Sequence, residues 1–599
     1  MVKRFRPVFV ICGLAVGLCG TFGSHSAAAQ QSQRKMNVLF FVLDQLQADR
    51  LHCYGNVRET SPNIDSLAQR GVRFSHFFTV APWTSPSFAS LHTGLYPSRH
   101  GIGLEWMPQP GVPLIDKDTP MMVPIFKAHD YSTAAFVNNA YAGQELTGRG
   151  FDDYYQFQRS SQIINVVERA GETTYRAIAT TRLALDWLRR HQSENFFLYI
   201  HFYEPHSPYD PPPEDDLFRS DAYPYLHDTG HDVAGAPAQR LAMLGDQKAI
   251  ERLYQLYDGK IHFVDRYVGR ILDFLHTSGL EENTLVVLTS DHGELLFSHP
   301  EDYQTSDHIS LYDANLHIPL IIAGPGVPKR RAIDALASNI DTAQTVLELT
   351  GLPLLPDAQG QSLVPLIKAT KDSLNPYIYM EQELRPPERA VRTLHYKLIR
   401  NLWTGKDRLY DLDQDSRELH DVIQQNPEVA HDLSSHLDAW MKENQPSKNV
   451  VLRRDRLYTE PITSVIIDDQ TIEARFMISG GGWHSDTEPA SGNLSVGCFW
   501  TEPGDGSRTA LWRAVNPMLG TWKISVYSGK PSVGRLATNA PFTVVTDEGS
   551  KTVQVDLSQT KGEWRTLGNF HNPRYVTLTN AADGVIVADT VKFDLVSPE

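Results

Sequence analysis

From Asn37 to about Gln445 the chain alternates between short, unbroken apolar runs and longer stretches with helical spacing. "NVLFFVLD" (37–44), "STAAFVN" (132–138), "NFFLYIHFYE" (195–204), "NTLVVLTSD" (283–291) and "IPLIIAGPG" (318–326) read as strands buried on both faces. "ETTYRAIATTRLALDWLRRH" and "DGKIHFVDRYVGRILDFLHTSGL" have helical spacing, the second ending near Gly279, and each leads into one of those strands. Strand, helix, strand with unbroken apolar strands predicts a mostly parallel sheet between helices, an α/β fold. Over residues 377–445 the pattern changes to a hairpin, "YKLIRNLWTGKDRLYDLDQD", and an amphipathic helix, "NPEVAHDLSSHLDAWMKEN", a small α+β C-terminal subdomain. From residue 447 to 599 helical periods vanish. Short runs such as "TWKISVYSG", "APFTVVTD" and "VIVADTVKFDLV" between turn residues predict an all-β sandwich.

The predicted strands end in polar residues: Asp44, Asn138, Glu204 and Asp291. Open α/β sheets gather their sites beyond the carboxyl ends of strands, so these four should converge. Taken singly, Asp44 reads better as a capping carboxylate. Asp291-His292 in "TSDHGE" shifts the balance, because a hard or borderline cation accepts carboxylate oxygen and imidazole nitrogen together. In "APWTSPSFASLHTG", Pro86 suits a first helical turn, which places Thr84 just before the helix with its hydroxyl at the positive end of the dipole. Alone, Thr84 is an N-cap. Beside a metal, its hydroxyl becomes a nucleophile.

Composition narrows the function classes. The 41% hydrophobic and 21% charged content is that of a globular protein, and 599 residues imply more than one domain. Residues 1–29 carry a basic start (Lys3, Arg4, Arg6), a short apolar run and an A-x-A site before Gln30, the pattern of a cleaved signal peptide. Export to the periplasm or outside is therefore expected, with no stable membrane insertion, since no later apolar run is long enough to span. Loss of those three cations takes the net charge from −16 to −19, which argues against nucleic acid as a partner. Cys12 and Cys19 leave with the leader; Cys53 and Cys498 are far apart and make no disulfide framework.

The segments "NVLFFVLDQLQADRLHCYGN", "SPSFASLHTGLYPSRHG", "HFYEPHSPYDPP", "TSDHGE" and "SLYDANLHIPLIIAGPG", in this order, resemble the sulfatase family of the alkaline phosphatase superfamily. The resemblance covers residues 36–446 and implies an alkaline-phosphatase-like sheet. Sulfatases carry a Cys-x-Pro-x-Arg or Ser-x-Pro-x-Arg signature whose first residue becomes formylglycine. Here it reads Thr84-Ser85-Pro86-Ser87-Phe88, so neither the convertible residue nor the arginine is present. The calcium-binding pairs of the family correspond to Asp44-Gln45 and Asp291-His292, and its Gly-Lys-x-His motif to Val137-Asn138-Asn139-Ala140. Asp44, Thr84, Asp291 and His292 are similar instead to the single-metal threonine enzymes of the superfamily. The resemblance thus implies one divalent metal ion, zinc or manganese in preference to calcium, on Asp44, Thr84, Asp291 and His292 with Gln45 as a further candidate. It implies Thr84 as nucleophile, His206 on the transferred group, His308 at the leaving oxygen, and Asn138 and Glu204 on the substrate. The expected substrate is an anionic phosphoester or phosphonate, with a polysaccharide as its candidate carrier. Sulfate-ester hydrolysis by unmodified threonine and a catalytically dead glycan-binding protein are the alternatives. The region 447–599 resembles golvesin-type C-terminal domains, which are similar to carbohydrate-binding modules. Trp483, Trp500, Trp512, Trp522 and Trp564 are its candidate sugar platforms, with core packing favoured for most of them.

Overall fold

The computed structural model describes residues 35–597 except 104–114, 140–147, 157–175, 208, 210, 220–246, 297, 300–309, 384–386, 403, 446–463, 469–475, 480–482, 487–497, 514–517, 519, 529–533 and 560–562. The predicted leader therefore lies outside the described residues. Among the described residues no helix is long and apolar enough to cross a membrane.

Eight strands build the first sheet: β1 (Asn37–Leu43), β2 (Gly71–Phe78), β3 (Ser132–Val137), β4 (Asp153–Gln156), β5 (Phe196–Phe202), β6 (Thr284–Ser290), β7 (Leu320–Ala323) and β8 (Arg331–Ser338). Their order is β4-β3-β5-β1-β6-β7-β2-β8. All neighbouring pairs are parallel except those of β7, which runs against both β6 and β2. β1, β5 and β6 are buried at every position, which is why each reads as an unbroken apolar run. Two apolar layers fill the faces. Leu39, Phe41 and Leu43 join the helices Arg176–His191 and Gln247–Thr277 on one side, while Val38, Phe40 and Val42 join Phe88 and Leu91 of the helix Thr84–Thr93 on the other. The long helix stops at Thr277, followed by Gly279 with φ 72°, a left-handed position that glycine supplies without steric cost.

A four-stranded antiparallel sheet follows, β9 (Ile378–Gln382), β10 (Glu388–Arg392), β11 (Tyr396–Asn401) and β12 (Asp407–Asp411), in the order β12-β11-β10-β9. The helix Pro427–Glu443 contributes Leu433, Leu437 and Trp440 to the core it shares with β10 and β11. This sheet is locked to the first by charge as well as packing. Asp313, just ahead of β7, receives Arg392 at 3.0 Å and Lys397 at 2.7 Å, and Lys397 also meets Glu418 at 2.8 Å. Lys397 is fully buried. The two cations hold the Asp313 carboxyl well below its usual range, whereas burial pushes Glu418 up to about 7.

Beyond residue 463 the described residues are almost wholly antiparallel strands in three sheets. Trp483, Trp512 and Trp522 are buried in their common core, Trp500 packs on its edge and stacks on His484, and Trp564 is half-buried.

Candidate active site and metal site

The strands β3, β5, β1 and β6 are consecutive and parallel, so their carboxyl ends lie along one edge. Asp44 leaves β1 there, and Asp291 leaves β6, where Leu43 and Ser290 are register partners. Thr84 reaches the same edge at the start of the ten-residue helix behind β2. It is the first helical residue rather than the cap. Trp83, with extended backbone, is the capping residue, its carbonyl accepting from Ser87 N–H at 3.3 Å, and Pro86 fits the first turn because it has no N–H to satisfy. Ser87 fastens the helix to β6 by donating to the Asp291 carbonyl at 2.6 Å.

The Asp44 carboxylate is divided between two surroundings. Its Oδ2 accepts from Asn139 Nδ2 at 2.6 Å and lies 3.5 Å from His201 Nε2. Its Oδ1 is buried without a hydrogen-bond partner and lies 3.7 Å from His292 Nε2. Asp291 repeats the division. Oδ1 accepts from the Gln45 and His292 amides at 3.1 and 2.9 Å, while Oδ2 is buried and unpartnered, 3.5 Å from His292 Nε2. Thr84 Oγ1 completes the cluster, 3.3 Å from His292 Nε2 and 3.4 Å from Asn139 Nδ2.

All these side chains are buried, and desolvation dominates their acidities. It pushes Asp44 up to about 7, against the lowering effect of the Asn139 hydrogen bond. Burial, then the neighbouring Asp44 charge, pushes Asp291 well above the usual carboxylate range. Burial lowers His292 to about 3 and His201 to about 4. Two buried carboxylates, each with an orphaned oxygen turned toward one imidazole, are a costly arrangement unless a cation lies between them. Carboxylate oxygens, an imidazole and a hydroxyl are a donor set that suits a divalent ion, and among the described residues Asp44, His201 and Asp291 form a cluster with ligand atoms within 4.8 Å of one another.

The other candidates stand differently. Gln45 enters through its backbone: its N–H binds Asp291, its carbonyl accepts from Tyr257 hydroxyl, and its φ of 62° turns the chain at the end of β1. Asn138 is turned away from Thr84. Its amide donates to Thr180 Oγ1 at 2.5 Å and to His201 carbonyl at 3.0 Å, fastening the helix Arg176–His191 to β5. Asn139, the next residue and so on the opposite side of the chain, faces the site instead. Glu204 accepts from the Arg176 and Ala177 amides at 3.1 and 3.4 Å and thereby caps that helix. His206 has Nδ1 at 2.8 Å from Ser207 carbonyl and its ring against Tyr203, near enough for its charge to lower His292 further. His308 lies outside the described residues. Sequence reasoning passed over Asn139 and His201. His201 does leave a signal, as the one imidazole inside an otherwise apolar and aromatic run, on the strand next to the one that ends in Asp44.

Phe88, at the fifth position of the "TSPSF" segment, packs its ring edge-to-face on His201 with centroids 5.0 Å apart. The sulfatase family profile matches residues 36–352, more than half of the chain. The chain belongs to the sulfatase family. Within this sulfatase the C-terminal profile of N-sulphoglucosamine sulphohydrolase matches residues 302–445, and that of the golvesin C-terminal domain matches 465–595. It is 28% identical over 431 residues to the uncharacterized sulfatase YidJ of Escherichia coli, covering 65% of this chain and 83% of that one. The phosphonate monoester hydrolase from Silicibacter pomeroyi shares the fold, with a TM-score of 0.56 and 21% identity over 69% of this chain and 96% of the other. So does a structure in complex with its substrate D-glucosamine-2-N,6-O-disulfate, with a TM-score of 0.56 and 21% identity over 70% and 99%. The sulfatase is accordingly a hydrolase of sulfuric or phosphoric esters.

Proposed function

We propose that this sulfatase-family chain is an exported, metal-dependent hydrolase that cleaves phosphoesters or phosphonates through Thr84. The observation that supports this most is the meeting of Thr84 Oγ1, His292 Nε2 and the two orphaned oxygens of Asp44 and Asp291 at one buried point. Asp44, Asp291, His292 and Thr84 would hold the ion. When bound, it supplies Lewis-acid charge that lowers the pKa of the threonine hydroxyl and offsets charge on the ester oxygens. Asn139 donates toward Thr84 Oγ1 and toward Asp44, and so stabilises negative charge on the attacking oxygen. Thr84 attacks phosphorus, the alcohol leaves with its bonding electrons and takes up a proton, and water then attacks the phosphothreonine to return the hydroxyl. His206 is the candidate contact for the transferred group. Threonine also favours phosphorus over sulfur. A formylglycine hydrate expels sulfate by collapsing to an aldehyde, an exit that a threonine ester lacks, so its central atom must be attacked again.

Sulfate-ester cleavage is the second reading, favoured by relatives such as YidJ that are named sulfatases. The golvesin-like region and the glycan-sulfate complex of a fold neighbour support a substrate carried on a saccharide in either case. The leader supports export. Matched aryl phosphodiester, phosphonate monoester and sulfate substrates, assayed with zinc, manganese or calcium, decide between the readings. Higher kcat/KM on phosphorus esters is expected. Preference for sulfate refutes this reading in favour of the second, and no turnover of any ester refutes both.

A further inference from the structure

The two buried histidines of the site are held in opposite tautomers by the main chain. A backbone amide can only donate, and the Asn138 N–H points at His201 Nδ1 from 3.2 Å. That nitrogen must therefore carry the lone pair, which puts the ring proton on Nε2. A backbone carbonyl can only accept, and Gly293 carbonyl lies 2.9 Å from His292 Nδ1. There the proton is on Nδ1, and the lone pair is on Nε2. His292 thus offers an electron pair to the point shared by Asp44 Oδ1, Asp291 Oδ2 and Thr84 Oγ1, whereas the Nε2–H of His201, buried and without a hydrogen-bond partner, lies 3.5 Å from Asp44 Oδ2.

We infer that His201 is not a metal ligand, although one of its ring nitrogens lies within 4.8 Å of an oxygen of each carboxylate, but a positioning residue that turns its Nε2–H toward Asp44 Oδ2, 3.5 Å away. This rests on the metal-dependent reading given above. Asn139 and His201 both occupy the Oδ2 side of Asp44, so the carboxylate can approach an ion only through Oδ1. The ring is held in this pose from three sides. Val42 is its register partner on β1, Val137 its partner on β3, and Phe88 meets it edge-to-face. An arginine in place of Phe88 would bring a cationic donor to this wall, whereas an aromatic ring fixes the imidazole plane without competing for Asp44. Partners behind a ligand typically change metal affinity by about ten- to a hundredfold, far less than the loss of the ligand itself.

The test uses the full mature chain loaded with cobalt(II), whose visible absorption reports the atoms bound to it. His201→Gln keeps an N–H near the position of Nε2, His201→Leu removes it, and His292→Gln is the ligand control. Circular dichroism establishes that each variant is folded. Expected are one cobalt ion per chain with an unchanged visible band in His201→Gln, about ten- to a hundredfold weaker binding in His201→Leu with that band still present at saturation, and loss of the band in His292→Gln. A band that shifts or vanishes in His201→Gln as it does in His292→Gln makes His201 a ligand and overturns the inference. Affinity unchanged in His201→Leu overturns the positioning role. Failure of the wild-type chain to take up any ion would instead bring down the metal-dependent reading itself, a result separate from either of these.

Discussion

Stripping the ion from the site should reverse the ordinary dependence of a protein's stability on acidity. The Asp44 carboxyl is raised from 3.8 to about 7, with burial as the cause. Between those values the folded ion-free chain holds a proton that the unfolded chain has released. Stability must therefore fall as pH rises through that window, and it is retained in full only below about 4. Each tenfold change in an acid constant corresponds to 1.36 kcal/mol, so the ion-free fold loses about 4 kcal/mol from this carboxyl between pH 4 and pH 8. Asp291, raised in the same direction, adds to the loss. For an enzyme region of roughly 400 residues, with an unfolding entropy near 0.9 kcal/mol per kelvin, about 4 kcal/mol lowers Tm by about 5 °C. The assay is scanning calorimetry of chelator-treated protein from pH 4 to pH 8, beside protein saturated with zinc or manganese. The Asp44→Asn variant serves as the background for every other titrating group. Wild type minus variant should show the predicted fall without the ion and none with it, because an ion between the carboxylates makes their charged forms the favoured ones. An ion-free Tm with the same pH slope in wild type and Asp44→Asn would refute the account.

Thr84→Ala should lower turnover by about a thousandfold or more while leaving the unfolding transition in place, and mass spectrometry of the wild type should find Thr84 unmodified. Asn138→Ala and Asn139→Ala should separate cleanly: the first loses the fastening of the helix to β5 and lowers stability by about 1–3 kcal/mol, measured by urea unfolding, while the second weakens ion binding, measured by chelator competition. A chain ending at Gln445 should fold and hydrolyse small aryl esters at the rate of the whole protein, since the strands beyond residue 463 build a core of their own; aggregation of that shortened chain in gel filtration would show otherwise.

What was legible in the chain follows from how each element is surrounded. β1, β5 and β6 are covered on both faces, so nothing polar interrupts them before their carboxyl ends, and the polar residue that follows marks the site edge. β2 and β8 were not recognised from the pattern. They lie toward the outer end of the sheet, where Arg73, Ser75, His76, Arg331 and Asp334 break the apolar run. The pair Asn138-Asn139 shows a different limit. Composition cannot say which of two identical neighbours faces inward, because that depends on where the strand ends and how the chain leaves it. The opposite tautomers of His201 and His292 depend on main-chain partners brought close by sheet register and by a tight turn, neither of which leaves a mark on side-chain type.

The buried group formed by Asp313, Arg392, Lys397 and Glu418 has a bearing on descent. Its members come from both sides of the junction between the large sheet and the small one, and covering either side with an unrelated partner would bury charges without their counter-charges, at a cost of about 3–5 kcal/mol for each broken pair. A gene fragment encoding only the first sheet could not be joined to an unrelated partner without also rewriting Asp313, nor could the second be borrowed without Lys397 finding a new counter-charge. The two sheets are therefore tied to each other by charge as well as by packing. The β-strands beyond residue 463 have a core of their own, and this is the boundary at which recombination would be tolerated and where lineages of this enzyme should differ in what they carry.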